Sequence, residues 1–238
     1  MLKNKFQYCM KQINVAIDGT SSSGKSTMAR ALAAYSGLTY IDSGAMYRAV
    51  TLYCLRHNLV SDDGVVNEAR LKKHIGDIRI SFRKNEKGDQ ETYLNDENVE
   101  REIRTLRVSN FVSPVAAIPF VRHAMVAQQQ EMGRLKGVVM DGRDIGTTVF
   151  PDAEIKVFVT CSAQVRAQRR FLELQSKGDT DVTFEDVLRN VEMRDHIDST
   201  RKESPLRKAD DAIELDTSLL SLEQQNQWIF QLYDNYPA

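Results

Sequence analysis

Residues 13–27 read INVAIDGTSSSGKST and carry the strongest structural signal in the chain. Ile13, Val15 and Ile17 have the spacing of a short buried strand, and apolar residues recur at helical spacing after the stretch ends. The residues between strand and helix match the pattern G-x-x-x-x-G-K-[ST] at every fixed position. Backbone N–H groups of such a loop surround a phosphate, and the following helix directs its N-terminus at the anion. The stretch therefore predicts an α/β fold that binds a nucleoside triphosphate.

The phosphate loop gives expected roles to two side chains. Lys25 is expected to reach the β- and γ-phosphates of ATP and to act in catalysis, and the Ser26 hydroxyl is expected to bind Mg²⁺ directly. Switch GTPases, motors and small-molecule kinases share the pattern, so the loop alone leaves the reaction open. The predicted ATP-binding residues are Gly19, Thr20, Ser21, Ser22, Ser23, Gly24, Lys25, Ser26 and Thr27.

Length, charge and cysteine content limit the other possibilities. The 238 residues suit one medium-sized domain, and a formal net charge of −1 argues against general attraction to nucleic acid or anionic membranes. No stretch has the length and apolarity to span a bilayer, and residues 1–12 lack the apolar core of a signal peptide. Cys9, Cys54 and Cys161 have no metal-ligand spacing. We therefore expect idle thiols in a cytoplasmic protein.

A second anion site is predicted in residues 42–48, DSGAMYR. Ser43 is a suitable helix N-cap, and apolar residues follow at helical spacing from Met46 to Cys54. Arg48 falls about 200° around this helix from Met46, so it faces away from the apolar stripe. It is either a clamp for a phosphate in a cleft or a solvated surface arginine, and position alone favours neither.

The pattern changes between residues 77 and 99. Ile78, Ile80 and Phe82 alternate with polar residues at strand spacing, and a turn at residues 85–89 leads to a return strand at residues 92–94. This predicts a small antiparallel lobe inserted into the α/β chain. Covering a substrate is the usual reason for such an insertion.

A polar segment follows the second buried strand of the predicted sheet. Residues 138–140 form that strand, and residues 141–147 read DGRDIGT. Ligands of open α/β sheets bind beyond the carboxyl ends of the strands, so these side chains are expected over the binding cleft. The alternative is a charged turn in which Arg143 pairs with a neighbouring carboxylate. Asp141 is a further candidate for Mg²⁺, held through water.

Two basic helices joined by a flexible connection at residues 176–180 predict a lid. Arg166, Arg169 and Arg170 lie on one face of the first helix, and Leu172 is among the residues predicted to face inward. The alternative is a solvated basic face. Phosphoryl transfer favours the lid, because arginine offsets the charge that spreads over the transferred group.

Two more strands complete the pattern, at residues 155–159 and 212–215. Ser221, with Gln224 three residues later, is predicted to cap a terminal helix with a structural role.

These motifs together resemble those of the bacterial cytidylate kinases, in the nucleoside monophosphate kinase group. The most specific are residues 42–48, residues 141–147 with VFPDA at residues 149–153, and Arg194-Asp195 with Asp198 and Arg201. The resemblance covers about residues 13–215. It implies a P-loop kinase with a five-stranded parallel sheet flanked by helices, an inserted antiparallel lobe and a short helical lid. The implied parts of this single domain are a core of about 12–42, 119–161 and 205–238, a monophosphate-binding lobe of about 43–118, and a lid of about 162–204.

The resemblance also implies the substrate site. The implied CMP contacts are Ser43, Arg48, Ser113, Arg122, Arg143, Asp144, Arg194, Asp198 and Arg201. The side chains that resemble cytosine readers are Ser113, Arg122 and Asp144. Asp198 with Arg194 resembles the ribose site, and the side chains that resemble phosphate clamps are Arg48, Arg143 and Arg201. The expected catalytic residues are Lys25, Arg166, Arg170 and Arg194, with Arg166 and Arg170 both candidates for contact with the transferred phosphoryl group.

The reaction that the resemblance implies agrees with elementary chemistry. A phosphate monoester is mostly a dianion at pH 7, so the acceptor needs no general base. We expect direct transfer from ATP, with Mg²⁺, to CMP or dCMP in a monomer. One alternative is a kinase for UMP, AMP or a non-nucleotide. Another is a non-catalytic ATP-binding regulator, which would need no second phosphate site.

Overall fold

The structure is a computed structural model that describes residues 11–86, 88–176, 178 and 181–237. The expectations for residues 1–10, including Cys9, and for most of the connection at 176–180 lie outside the described residues. The helices and strands are β1 (Asn14–Gly19), α1 (Lys25–Ser36), β2 (Thr39–Asp42), α2 (Ser43–Arg56), α3 (Glu68–His74), β3 (Ile80–Lys84), β4 (Gln90–Leu94), β5 (Glu97–Asn98), α4 (Leu106–Ala116), α5 (Pro119–Gly133), β6 (Val138–Gly142), β7 (Ile155–Thr160), α6 (Ala163–Ser176), α7 (Phe184–Thr200), β8 (Ile213–Asp216) and α8 (Leu222–Asn235).

A five-stranded parallel sheet in the order β2-β6-β1-β7-β8 confirms the predicted fold class. All six residues of β1 are buried, as expected of a central strand covered by helices on both faces. One face packs against α1 and α8 through Met28, Leu32 and Ile229. The pairing register sets Asp42 of β2 opposite Asp141 of β6. The carboxylates of these two neighbouring strands therefore lie together at the carboxyl ends of the strands.

The inserted lobe is antiparallel, as predicted, and contains one more strand than expected. β3 pairs with β4, and the two-residue β5 pairs with β4 on its other side. The lobe packs against α2, whose apolar stripe from Met46 to Cys54 is buried in the same cluster as Ile80 and Leu94. This packing fixes the start of α2 near the sheet edge.

Two local predictions were wrong. Asp42, not Ser43, caps α2, because its carboxylate accepts a hydrogen bond from the backbone N–H of Ala45 at 2.9 Å. Ser43 is instead the first helical residue. Leu172 was expected to face inward on α6 but is 55% exposed. The buried apolar residues of that helix are Ala167 and Leu174, which pack against α7.

The predicted cap of the terminal helix is confirmed. The Ser221 hydroxyl caps α8 by accepting from the backbone N–H of Gln224, and the Gln224 side-chain oxygen accepts from the backbone N–H of Ser221. Cys54 and Cys161 are free thiols. Among the described residues, no helix combines the length and apolarity needed to cross a membrane.

Candidate active site

The phosphate loop lies between β1 and α1, as its pattern predicts. Gly19 has a φ of 149°, and a Cβ there would stand 2.2 Å from the carbonyl oxygen of Val159. Gly24, at the helix N-cap, has a left-handed φ of 94°. Side chains would be strained at both positions, so glycine is needed to curl the loop. Ser22, within the loop, also has a positive φ, of 58°.

Lys25 lies in the interior of this loop with its ammonium group partly desolvated. The group donates a hydrogen bond of 2.8 Å to the carbonyl of Thr20, and the residue is 5% exposed. Burial, assisted by the nearby Arg143, lowers the pKa of Lys25 to about 7. An anion at the loop would favour the charged form, so binding of a phosphate and protonation of Lys25 are coupled.

Ser26 and Asp141 form the candidate Mg²⁺ site. The Ser26 hydroxyl donates to one carboxylate oxygen of Asp141 at 2.6 Å, and the Tyr40 hydroxyl donates to the other at 2.7 Å. Burial, and the neighbouring Asp42, raise the pKa of Asp141. Mg²⁺ in phosphoryl-transfer sites uses one or two protein oxygen ligands together with substrate phosphates. A hydroxyl and a buried carboxylate beside the phosphate loop therefore fit this ion.

All nine side chains predicted to bind the acceptor line one cavity of about 160 Å³. We call it the inner cavity, and Lys25, Ser26, Asp141 and Arg170 also line it. A second cavity of about 610 Å³, the outer cavity, lies along Gly24, Thr27, Arg169 and Leu220. Lys25, Ser26, Arg48 and Arg170 border both cavities. The arrangement gives two adjoining compartments with the phosphate loop between them.

Arg48 faces the inner cavity, which favours the clamp over the solvated surface arginine. Its guanidinium donates to the Ser109 hydroxyl at 2.8 Å. Burial, then repulsion from Arg194 and Arg104, lowers the pKa of Arg48 to about 9. Burial and Arg143 likewise lower the pKa of Arg194 to about 10. The crowding of positive charge makes this end of the cavity a receptor for an anion.

The inner cavity is also lined by the predicted base readers. Arg122 and Asp144 form an ion pair of 2.5 Å, and both side chains are buried. Ser113 is 5% exposed and lines the same region. The Tyr47 ring lies 5.2 Å from the guanidinium carbon of Arg122. The cavity lining therefore combines an aromatic ring with a fixed carboxylate, a set that suits a flat polar ring.

Asp198 connects the lid helix α7 to the turn after β6. Its carboxylate accepts from Arg143 at 2.8 Å and from Arg201 at 3.4 Å. Burial alone would raise the pKa of Asp198, but Arg143 and Arg201 hold it below its usual value. Arg143 thus pairs with a carboxylate, as the alternative interpretation required. The partner, Asp198, is 55 residues away in sequence, and both side chains line the cavity. The ion pair therefore does not belong to a local charged turn.

The two lid candidates for the transferred group have different surroundings. Arg166 is 3% exposed, pairs with Asp195 of α7 at 2.5 Å, and lies 3.4 Å from the Ser21 carbonyl of the phosphate loop. Arg170 pairs with Glu173 on its own helix at 2.9 Å and borders both cavities. Arg166 therefore joins the lid to the loop, and Arg170 is the one that faces the site.

Arg169, on the same face of α6, completes this anchoring. It donates to the Thr217 carbonyl at 2.7 Å, and the Thr217 hydroxyl in turn donates to the Ser23 carbonyl at 2.8 Å. The basic face of α6 is consequently not a solvated surface.

Asp18, Arg104 and Tyr40 are among the site residues that were missed from the sequence. Asp18, 5% exposed, accepts from the backbone N–H groups of Ile145 and Gly146 at 2.8 and 2.7 Å. Burial raises its pKa to about 7. Its place at the carboxyl end of β1 was a usable signal.

Arg104 and Tyr40 carried no comparable signal. Arg104 donates to Asp42 and to Glu100, both at 2.9 Å, and borders both cavities. It lies in a short 3-10 turn, where no hydrophobic period marks its direction. The role of Tyr40 depends on contact with Asp141, which is 101 residues away in sequence.

The chain is similar to known proteins over most of its length. A family model described as cytidylate kinase matches residues 15–235. A protein named cytidylate kinase from Bacteroides fragilis is 60% identical over 225 residues, which cover 94% of this chain and 97% of that protein. One of the same name from Parabacteroides distasonis is 60% identical with the same coverage. Another, from Flavobacterium psychrophilum, is 54% identical over 95% of this chain and 100% of its own length.

Proposed function

Because the chain belongs to the cytidylate kinase family, we propose that it transfers the γ-phosphoryl group of ATP directly to CMP and dCMP. The products are ADP with CDP or dCDP. The observation that carries this proposal is the pair of adjoining cavities, with Lys25 and Arg170 on their common border. ATP would occupy the outer cavity and the phosphate loop, and the acceptor would occupy the inner cavity.

The main obstacle to this reaction is the repulsion between two polyanions. Lys25, Arg48 and Arg170 all border both cavities and would offset the charge of the phosphates bound there. The acceptor phosphate is already a dianion near pH 7, so these residues have to bind and orient it but need not remove a proton. Holding the two reactants in line supplies much of the rate, and charge offset at the transferred group supplies more.

Ser26 and Asp141 would hold Mg²⁺, Ser26 directly and Asp141 through water. When bound, the ion would offset the negative charge of the ATP phosphates. The residues of the chain orient ATP through the loop backbone and Lys25. Closure of α6 and α7 over the site would exclude water that could otherwise accept the phosphoryl group.

Base choice follows from the direction of hydrogen bonding at Asp144. The carboxylate can accept from the exocyclic amine of cytosine, as carboxylates do elsewhere. Uracil has a carbonyl oxygen at that position, which would set two acceptors against each other. A site built around such a bond rejects the mismatched analogue strongly. Asp198 and Arg194 would bind the ribose.

An ADP-release assay with ATP and Mg²⁺ tests the proposal against a panel of CMP, dCMP, UMP, AMP, GMP, TMP and shikimate. We expect turnover with CMP and dCMP, and at least about tenfold less with UMP. Turnover with another monophosphate would keep the direct transfer but refute the base-reading residues. ATP binding without turnover of any acceptor would refute the kinase assignment and favour a regulator.

A further inference from the structure

We infer that Tyr40 is a positioning residue for the metal-binding carboxylate of Asp141, and that its hydroxyl sets the affinity of the nucleotide complex for Mg²⁺. The inference rests on the proposed function, because it requires that Asp141 holds Mg²⁺ through water. Tyr40 would touch neither the ion nor the nucleotide. It would act only through the orientation of the carboxylate.

The sheet register brings the two side chains together. β2 and β6 are parallel neighbours, with Tyr40 opposite Val139 and Asp42 opposite Asp141. Tyr40 and Asp42 lie two residues apart and point to the same face of the sheet. A tyrosine is long enough to reach two residue pairs further along the strands, to Asp141. Its hydroxyl meets Asp141 at 2.7 Å, and this bond is buried.

Each oxygen of the Asp141 carboxylate has one donor from the protein. Tyr40 donates to Oδ1 and Ser26 donates to Oδ2. A carboxylate has about four acceptor sites, so each oxygen keeps capacity for another donor, such as a metal-bound water. Ser26 is itself the expected direct ligand of the ion, and its hydroxyl must reorient to serve as one. Tyr40 is then the fixed donor that keeps the carboxylate in place.

The Tyr40 side chain is itself firmly held. The residue is 9% exposed, and the guanidinium of Arg30 lies 5.8 Å from the ring centroid. The Gln90 side chain of the inserted lobe donates to the Tyr40 carbonyl at 2.5 Å. A donor fixed in this way orients its acceptor more effectively than a mobile one, which is how outer residues of metal sites raise affinity.

Tyr40→Phe removes the hydroxyl and keeps the ring. Calorimetry with the non-hydrolysable analogue AMP-PNP would measure its affinity in EDTA and across a Mg²⁺ titration. We expect the half-saturating Mg²⁺ concentration to rise about tenfold. This is the lower end of the range of about 10- to 100-fold seen when a residue that orients a metal ligand is lost, because Asp141 holds the ion through water. Affinity in EDTA should match that of the unsubstituted protein. A loss of affinity in EDTA as well would mean a distorted loop and would overturn the inference.

Tyr35→Phe is the matched control. Its hydroxyl donates to Asp234 at 2.7 Å, so the same Tyr–Asp bond is removed, but between α1 and α8. This variant should keep the Mg²⁺ dependence of the unsubstituted protein. Asp141→Asn should weaken Mg²⁺ binding at least as much as Tyr40→Phe.

The outcomes separate failure of the inference from failure of the proposed metal site. If Asp141→Asn weakens Mg²⁺ binding and Tyr40→Phe does not, the role of Tyr40 is refuted and the metal site stands. If Asp141→Asn has no effect, the metal site is refuted and the inference with it. Thermal melting of each variant checks that the fold is retained.

Discussion

The Arg122 guanidinium lies 2.5 Å from the Asp144 carboxylate, with 1% and 4% of the two side chains exposed. Arg201 approaches the other carboxylate oxygen of Asp144 at 3.8 Å. The carboxylate is thus held on one side by a buried ion pair and faces the inner cavity on the other. Fold stability and the proposed base recognition therefore depend on the same side chain.

Asp144→Ala should lower kcat/KM for CMP at least about tenfold and should narrow the ratio of CMP to UMP activity, because the acceptor for the cytosine amine is lost. Steady-state kinetics with both nucleotides on one preparation measure the two effects together. A ratio equal to that of the unsubstituted protein would show that Asp144 does not read the base.

The same variant should destabilise the fold, because Arg122 would stay buried without its partner. Breaking one side of a buried pair typically costs about 3–5 kcal/mol. The double variant Arg122→Met/Asp144→Leu removes both charges and should recover most of the free energy of unfolding in urea titrations. It should not recover the preference for CMP, which separates the structural role from the recognition role.

Arg48→Met should weaken CMP binding without weakening the ligand-free fold. Burial and the neighbouring arginines lower the pKa of Arg48 to about 9, so the substitution relieves repulsion. A charged hydrogen bond to phosphate contributes about 1.5–3 kcal/mol, which corresponds to roughly 10- to 100-fold in affinity. Thermal melting with and without CMP measures both quantities. Arg107→Met, at an exposed arginine of α4, is the control and should keep the full CMP-induced rise in Tm.

Arg166 and Arg170 should respond differently to substitution by alanine. Arg170→Ala should lower kcat on the order of 10³-fold with little change in Tm, since this arginine borders both cavities. Arg166→Ala should lower Tm, because Asp195 would lose a buried partner. The reverse pattern would assign the transferred phosphoryl group to Arg166. Kinetics and melting curves of the two variants decide between them.

ATP binding should take up a proton above neutral pH. Burial and Arg143 lower the pKa of Lys25 to about 7 in the ligand-free protein, so the amine is mostly neutral at pH 8. Bound phosphates favour the ammonium form, and at pH 8 those phosphates are already ionised. Because the complex then binds more protons than the free protein, ATP affinity should fall as pH rises above about 7.

Calorimetry in buffers of different ionisation enthalpy measures this uptake directly. It should approach one proton at pH 8 and be smaller at pH 6, where Lys25 is already charged. Lys25→Met should abolish the difference between the two pH values. Proton release at pH 8 would contradict the prediction.

Much of the fold and of the candidate site could be predicted from local patterns. The phosphate loop, the apolar stripe of α2 and the alternation in β3 are periodic or motif-encoded, because backbone geometry and burial act between near neighbours in sequence. The roles of the site residues remain predictions. Their gathering along one cavity nevertheless agrees with the resemblance that named them.

By itself, the sequence located the phosphate loop, most of the strands, the helices α1, α2, α6, α7 and α8, and the polar side chains that follow the strand ends. It did not locate β2, β5 or the helices α3 to α5. Only the tertiary structure decided which of these side chains meet. Tyr40 reaches Asp141 because β2 and β6 pair in one register. Arg166 pairs with Asp195 of the neighbouring α7, whereas Arg170 pairs with Glu173 of its own helix. Hydrogen bonds and ion pairs depend on distances of a few ångströms between groups far apart in the chain. Packing fixes those distances, and no local pattern records them.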